Sequence, residues 1–338
     1  MQLQVIWYLL IGVLFAGYAV LDGFDLGVGV LYPFITRSES ERRTLRQAIG
    51  PVWDGNEVWL LTGGGALFAA FPPVYATVFS GFYLALMLVL FGLIFRAVSL
   101  EFRARDEGWA RFWDWAFFGG SLVPALLFGV AVGNIVRGVP LNTQQAYAGT
   151  FFTLLNPYAL LVGLTGLAMF ISHGAAWAAV KATDELQARA QRVRSTAHWV
   201  FAALVAVTTV VTALAAPQPF GRNLASPLGW LMLLLVVGGI ATARLEMVRG
   251  RDLPTFLASG ASVIGLVGLW FVGNFPALVP ALGDFNLSLT VHNASSSPLS
   301  LTVMLIVALL GVPLVLGYTA LIYKVFAGKV KDSSTAGY

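Results

Sequence analysis

Long apolar segments alternate with short polar segments along almost the whole chain. About nine of the apolar segments run for roughly 20 residues or more, the length at which an α-helix crosses a hydrocarbon core of about 30 Å. The apolar runs are continuous and show no period of two, which disfavours a β-barrel. The pattern therefore predicts an all-α, polytopic membrane protein with about nine transmembrane helices. We expect these helices near residues 6–32, 52–71, 74–102, 112–136, 152–181, 196–216, 227–248, 254–275 and 299–326.

Composition supports this fold class. Of the 338 residues, 58% are hydrophobic and only 11% are charged, whereas soluble domains carry about 25% charged residues. We expect one transmembrane helical domain over residues 1–327 and a short cytoplasmic tail over residues 328–338. The chain contains no cysteine, which excludes disulfides, thiolate metal sites and iron–sulfur clusters.

The distribution of lysine and arginine predicts the orientation in the membrane. All but two of the 20 basic residues fall in connections on one side of the predicted helices or at the C-terminus, and the two exceptions are Arg137 and Arg222. Because basic residues concentrate on the cytoplasmic side, the N-terminus is expected outside and the C-terminus inside. This bias also explains the net charge of +4 without any nucleic-acid partner, since a nucleic-acid face would not follow helix parity.

Four acidic residues lie inside predicted helices rather than in loops: Asp22 and Asp25 in the first, and Asp54 and Glu57 in the second. A carboxylate in mid-membrane costs about 2.5–3.5 kcal/mol on insertion scales, so it usually faces a partner, water or an ion pathway. Each pair is spaced i, i+3 and shares one helix face. Both pairs fall in the cytoplasmic half of the membrane, where crowded carboxyl groups can take up and pass protons.

A structural interpretation of the same residues stays open. Asp54 lies in the first turn of its helix, where a negative charge stabilises the helix end. Asp22 and Asp25 can instead pair with arginines at the cytoplasmic ends of helices, such as Arg96. Among the three histidines, only His173 lies well inside a predicted helix, and a single histidine of this kind is more often a hydrogen-bonded core residue than a haem ligand. No spacing typical of a metal site is present.

Six segments carry more specific motifs. They are residues 17–29 (GYAVLDGFDLGVG), 50–60 (GPVWDGNEVWL), 64–72 (GGALFAAFP), 79–83 (FSGFY), 133–140 (GNIVRGVP) and 289–298 (LTVHNASSSP). Together they resemble subunit II of cytochrome bd-type quinol oxidases, and the resemblance spans essentially the whole chain.

The resemblance implies a subunit of a bacterial plasma-membrane complex that oxidises quinol and reduces dioxygen to water. It implies that haems b and d lie in subunit I, the partner in a heterodimer, and that this chain supplies no haem ligand. A small single-helix subunit, membrane lipid and a structural quinone are further possible partners. The aspartates that line the family's cytoplasmic proton route fall on Asp25 and Asp54, while Glu57 and Asp22 lie within the same two signatures.

Two other functions fit the composition. A stand-alone proton-coupled transporter would also contain buried acids, but transporters usually show internal repeats and broken helices, and no repeat is evident here. A purely structural scaffold would leave the four acids without a role despite their cost in the membrane.

Overall fold

A computed structural model describes residues 3–105 and 108–330. Twelve α-helices account for most of this part of the chain. They are α1 (Leu3–Ile35), α2 (Glu39–Ile49), α3 (Trp53–Ala70), α4 (Pro72–Gly81), α5 (Tyr83–Phe102), α6 (Ala110–Arg137), α7 (Pro157–Lys181), α8 (Asp184–Ala215), α9 (Pro217–Ala225), α10 (Pro227–Val248), α11 (Asp252–Asn274) and α12 (Pro298–Val325). The all-α class predicted from the sequence is confirmed.

Eight helices in the described ranges are long and apolar enough to cross a membrane. The predicted second span corresponds to α3, which is not among the eight. Its first two turns contain Asp54, Asn56 and Glu57, and these polar residues lower its hydropathy. The count of nine spans and the orientation of the termini stay predictions. The tail predicted over residues 328–338 lies mostly outside the described residues.

The predicted third span, residues 74–102, is two helices. The chain breaks at Phe82, whose backbone (φ −99°, ψ 17°) leaves the helical region between α4 and α5. The Phe82 side chain is buried against Tyr147, with ring centroids 6.1 Å apart. An uninterrupted apolar pattern gives no sign of such a break, because apolar residues occupy both the helices and the bend.

Polar helices were the main omission of the sequence analysis. Helix α8 begins at Asp184, about twelve residues before the predicted start at 196, and its first turns are charged. The predicted helix over 152–181 begins at Pro157, after a short 3₁₀ turn at Phe151–Leu155. Helices α2 and α9 were not predicted. A short antiparallel pair, β1 (Ala277–Val279) with β2 (Leu289–Thr290), lies in the connection before α12.

Helices α1 and α7 cross at very close range. A Cβ atom added to Gly27 would lie 1.9 Å from the carbonyl oxygen of Phe170, and one added to Gly174 would lie 2.5 Å from the backbone of Gly27. Only glycine allows this approach, as small residues do at helix crossings in membranes. In contrast, a Cβ atom added to Gly64 or Gly65 of α3 would have no such neighbour within 4 Å in the described chain.

The core surrounds α1, which packs on α3, α6, α7 and α11. Its first half packs through Trp7, Tyr8 and Ile11, and its last half through Phe24, Tyr32 and Ile35. In contrast, Leu301 is the only buried residue of the described helix α12. The acidic residues of α1 therefore lie at the centre of the helical bundle, while α12 lies at its edge.

Candidate functional site

Asp22 and Asp25 lie on α1 with their side chains completely buried. Arg96 of α5, also completely buried, donates two hydrogen bonds to Asp22, from Nη1 to Oδ2 at 2.9 Å and from Nη2 to Oδ1 at 2.5 Å. The same Nη2 is 3.9 Å from Oδ2 of Asp25. The pairing with Arg96 that the sequence left open is thus present for Asp22. Asp25 is within ion-pair distance of Arg96 but forms no hydrogen bond with it.

The geometry of the Arg96–Asp22 pair is that of a fixed ion pair. Bidentate contacts between a guanidinium and a carboxylate are directional and strong in surroundings of low dielectric constant. One arginine charge is matched by one aspartate charge. Asp25 is therefore a second carboxyl group without a full counter-charge of its own, and burying an unpaired charge is costly.

Asn56 of α3 connects Asp25 to the next helix. Its Nδ2 group donates to Asp25 Oδ2 at 2.7 Å and to the carbonyl oxygen of Leu21 at 3.1 Å. Its Oδ1 accepts a hydrogen bond from the Tyr323 hydroxyl of α12 at 3.0 Å. Oδ1 of Asp25, although buried, has no hydrogen-bond partner within the described residues.

Neither Asn56 nor Tyr323 was assigned a role from the sequence. Asn56 belongs to the motif over residues 50–60, and a polar residue between two acids on an apolar helix was a usable signal. Tyr323 lies near the end of the most apolar helix. Nothing in the local pattern distinguishes it from the other tyrosines of the chain.

Asp54 and Glu57 do not join the buried cluster directly. Asp54 is exposed on the isolated chain and lies in the first turn of α3. Glu57 is half-buried and close enough to Asp22, Arg96 and Asp54 to interact electrostatically. Exposure thus decreases from Asp54 through Glu57 to Asp25.

A second group of charged side chains surrounds helix α2 at one end of the helical bundle, and we call it the α2 cluster. Glu39 contacts Arg46 (3.2 Å) and Arg103 (2.6 Å), and Asp114 contacts Arg103 (2.7 Å) and Arg42 (3.2 Å). Glu41 accepts from Arg189 and from the backbone N–H of Arg37 at 2.6 Å. Sequence reasoning missed these contacts because they join residues of four helices.

Electrostatics explain the charge states in the α2 cluster. Partial burial acts to raise the pKa of Glu39, but hydrogen bonds and positive charge from Arg46 and Arg103 outweigh it and lower the pKa below its ordinary value. Burial also acts to raise the pKa of Glu41. The hydrogen bonds from the Arg37 backbone and the Arg189 side chain outweigh it and lower the pKa below its ordinary value. Both carboxylates therefore stay ionised at neutral pH.

His173 is a core residue, as its isolation in the sequence suggested. Its ring is buried and stacked on Phe256, with centroids 4.6 Å apart. Nδ1 contacts the Ser259 hydroxyl at 2.6 Å and Nε2 contacts the carbonyl oxygen of Val20 at 3.0 Å. Within the ranges that the structure describes, no three His, Cys, Asp or Glu side chains are grouped as a metal site would require.

Comparisons with known proteins agree with this architecture. A family model described as "Cytochrome bd terminal oxidase subunit II" matches residues 3–326. The chain is 38% identical to "Cytochrome bd-I ubiquinol oxidase subunit 2" of Escherichia coli (strain K12), over 97% of this chain and 95% of the relative. It is 35% identical to "Cytochrome bd ubiquinol oxidase subunit 2" of Bacillus subtilis (strain 168), over 100% of this chain and 99% of the relative.

The fold is also found among solved structures. A chain of the structure titled "The structure of bd oxidase from Geobacillus thermodenitrificans" superposes with a TM-score of 0.81. The alignment covers 96% of this chain and 99% of the other at 15% sequence identity. At that identity the likeness concerns the arrangement of the helices.

Proposed function

The chain belongs to the cytochrome bd terminal oxidase subunit II family, and from that premise we propose that it carries protons from the cytoplasm toward a haem-bearing subunit I. It is a multi-pass subunit of an oxidoreductase complex in the bacterial inner membrane. The whole complex oxidises quinol and reduces dioxygen to water. This membership argues against the stand-alone transporter considered from the sequence.

The buried carboxyl group of Asp25 is the observation that carries the proposal. It lies beside a complete ion pair, with one oxygen held by Asn56 and the other without a partner in the described chain. A group that serves only as a structural anchor usually has both oxygens satisfied. A carboxyl oxygen that is buried, unpartnered and lacking a full counter-charge is suited to take up and release a proton.

The order of burial along α3 and α1 supports a direction for the route. Asp54 would take protons at the cytoplasmic side, Glu57 would relay them, and Asp25 would hold them inside the bundle. Asp22 acts differently, because both of its carboxyl oxygens accept hydrogen bonds from Arg96. Its task would be to keep Arg96 and Asp25 in place.

The haems belong to subunit I in this proposal, and the histidines of this chain support that division. Both ring nitrogens of His173 already have partners. His198 lies against a buried cavity of about 10 Å³, a volume near that of one water molecule and far too small for a porphyrin. No redox step of the oxidase reaction is therefore assigned to this chain.

Stabilisation of subunit I is the second part of the proposed role. Helix α12 presents apolar residues around its circumference, including Leu309, Leu314 and Val315, which are 48–75% exposed. In a membrane such a surface contacts lipid or another helix.

Charge-neutral substitution tests the proton route. In the assembled complex, Asp25→Asn and Asp54→Asn should slow oxygen consumption per haem about tenfold or more, since proton transfer by a positioned group contributes about 10²-fold or more. The haem absorbance spectrum should stay unchanged. The matched control is Glu101→Gln, an exposed acid of α5 whose partner Arg105 is 3.9 Å away, and it should keep normal turnover.

Two results would contradict the proposal. Normal turnover in both aspartate variants would mean that the carboxyl groups are structural. Loss of the haem spectrum in both variants, with the control intact, would assign them to assembly.

A further inference from the structure

The amide of Asn56 can adopt only one orientation. Its Nδ2 faces the carbonyl oxygen of Leu21 at 3.1 Å, and a carbonyl only accepts hydrogen bonds. Nδ2 therefore stays on the α1 side whether or not Asp25 is protonated, and its second N–H points at Asp25 Oδ2, 2.7 Å away. Oδ1 of Asn56 must then face Tyr323, so the tyrosine hydroxyl is the donor in the 3.0 Å bond between them.

This orientation distinguishes the two oxygens of Asp25. Oδ2 accepts a hydrogen bond from an N–H group of Asn56. The hydroxyl oxygen of a protonated carboxyl group is a weaker acceptor than its carbonyl oxygen, so a proton on Oδ2 would weaken this bond. Oδ1 has no partner within the described residues and is free to carry the proton. We propose that Asn56 and Tyr323 are positioning residues that confine the exchangeable proton of Asp25 to Oδ1. This inference rests on the proposed function, in which Asp25 is a proton carrier.

The end of α12 is anchored in a way that keeps Tyr323 in place. Lys181 at the end of α7 donates to the carbonyl oxygen of Phe326, and the Val330 N–H donates to the carbonyl oxygen of Lys181 at 2.9 Å. Lys329 donates to the carbonyl oxygens of Ala179 (2.9 Å) and Ala182 (2.7 Å). These bonds attach an otherwise exposed helix to α7 within a few residues of the tyrosine.

The ring of Tyr323 packs separately from its hydroxyl. It meets Trp177 edge-on, with centroids 6.1 Å apart. Tyr323→Phe therefore removes the hydrogen bond while it keeps the ring packing. Without the donor, Oδ1 of Asn56 is left unsatisfied and the amide is held only from the α1 side, so the link to Asp25 loosens.

The first experiment is Tyr323→Phe in the assembled complex, with Tyr318→Phe as control. Tyr318 lies on the same helix and is 63% exposed. We expect kcat of the Tyr323 variant to fall about two- to tenfold, the factor associated with one hydrogen bond, with KM for quinol unchanged. The pH profile of turnover should shift, because the group that sets it has changed surroundings. The Tyr318→Phe control should match the unmodified complex in kcat, in KM for quinol and in pH profile.

The second experiment tests whether Tyr323 acts through Asp25. In the double variant Tyr323→Phe with Asp25→Asn, turnover should equal that of Asp25→Asn alone, because residues in one hydrogen-bonded chain are not additive. The inference would be overturned if the fold-losses in turnover of the two single variants multiplied in the double variant. If Tyr323→Phe fails to assemble, Asn56→Leu gives the same test, since it removes the amide and keeps the branched shape of the side chain.

The outcomes separate the inference from the function on which it rests. Turnover could be slow in Asp25→Asn while Tyr323→Phe keeps the rate and pH profile of the unmodified complex. This result would overturn the positioning role and leave the proton route standing. Normal turnover in Asp25→Asn would overturn both. A slow Tyr323 variant with a shifted pH profile and no further loss in the double variant would support both.

Discussion

The buried group around Asp25 and the α2 cluster are built from the same residue types but differ in how their charges are matched. In the α2 cluster, each carboxylate oxygen of Glu39, Glu41 and Asp114 is paired with an arginine side chain or a backbone N–H. Around Asp25, one arginine serves two aspartates and one oxygen is left without a partner in the described chain. Complete pairing gives structure, while incomplete pairing leaves a group that can exchange a proton.

The location of the two groups strengthens this contrast. The α2 cluster reaches water, since the Glu39 side chain is 52% exposed. Exposed ion pairs contribute little individually, but several charges that form a network can hold helices together. The pair of Asp22 and Arg96 has no access to water from within this chain. Removing one partner there leaves an uncompensated charge at low dielectric constant, which is far more costly.

The largest effect is expected from Arg96→Met. Without the arginine, two buried carboxyl groups face each other, and breaking a buried pair costs about 3–5 kcal/mol. We expect little assembled complex, measured as haem-containing protein recovered from membranes. The double change Asp22→Leu with Arg96→Met should recover more complex than Arg96→Met alone, because it removes the stranded charge. Arg105→Met is the control, since Arg105 is 79% exposed. Equal recovery of Arg96→Met and the control would refute the role of the pair.

A smaller effect is expected from Asp114→Asn. This change should lower stability and leave turnover normal, whereas Asp25→Asn should lower turnover. Asp114 is buried, accepts a hydrogen bond from Arg103 and forms an ion pair with Arg42, so the change should lower the free energy of unfolding by about 1–3 kcal/mol. Turnover per assembled complex should stay normal. The measurements are thermal unfolding of the purified complex and oxygen consumption per haem. Slow turnover at normal stability in Asp114→Asn would contradict the proposed difference between the α2 cluster and the group around Asp25.

The smallest effect is a dependence of stability on pH that arises in the α2 cluster. The pKa values of Glu39 and Glu41 are lowered on folding, so their contribution is present above the pKa of the unfolded chain. It is lost as pH falls through the lower, folded-state values. We therefore expect the melting temperature to fall as the pH drops below about 4.5, near the ordinary glutamate pKa.

The control for this pH effect is Glu39→Gln, which removes one of the two titrating groups. It should lower the melting temperature at neutral pH and reduce the acid-induced decrease. An identical decrease in the variant and the unmodified complex would assign the effect to other residues.

The amino-acid sequence determined the fold class and the identity of the acids to consider. Apolar length predicts membrane helices because lipid offers no hydrogen bonds to the backbone, and the predicted range 227–248 coincides with α10. Acids are conspicuous in such helices because of their cost. The polar start of α8 and the helix α2 escaped prediction, because ion pairs such as Arg189 with Glu41 replace apolar burial there.

Only the tertiary structure decided which of the four acids lie together and what holds them. Asp22 and Asp25 are buried with Arg96, while Asp54 is exposed at the start of α3. Arg96 is 74 positions from Asp22, and Tyr323 is 267 positions from Asn56. Helical periodicity specifies which residues share a face of one helix. Which helices meet depends on side-chain packing over the whole bundle, through contacts such as that of Gly27 with Gly174, and this packing brings Tyr323 to the amide that orients Asp25.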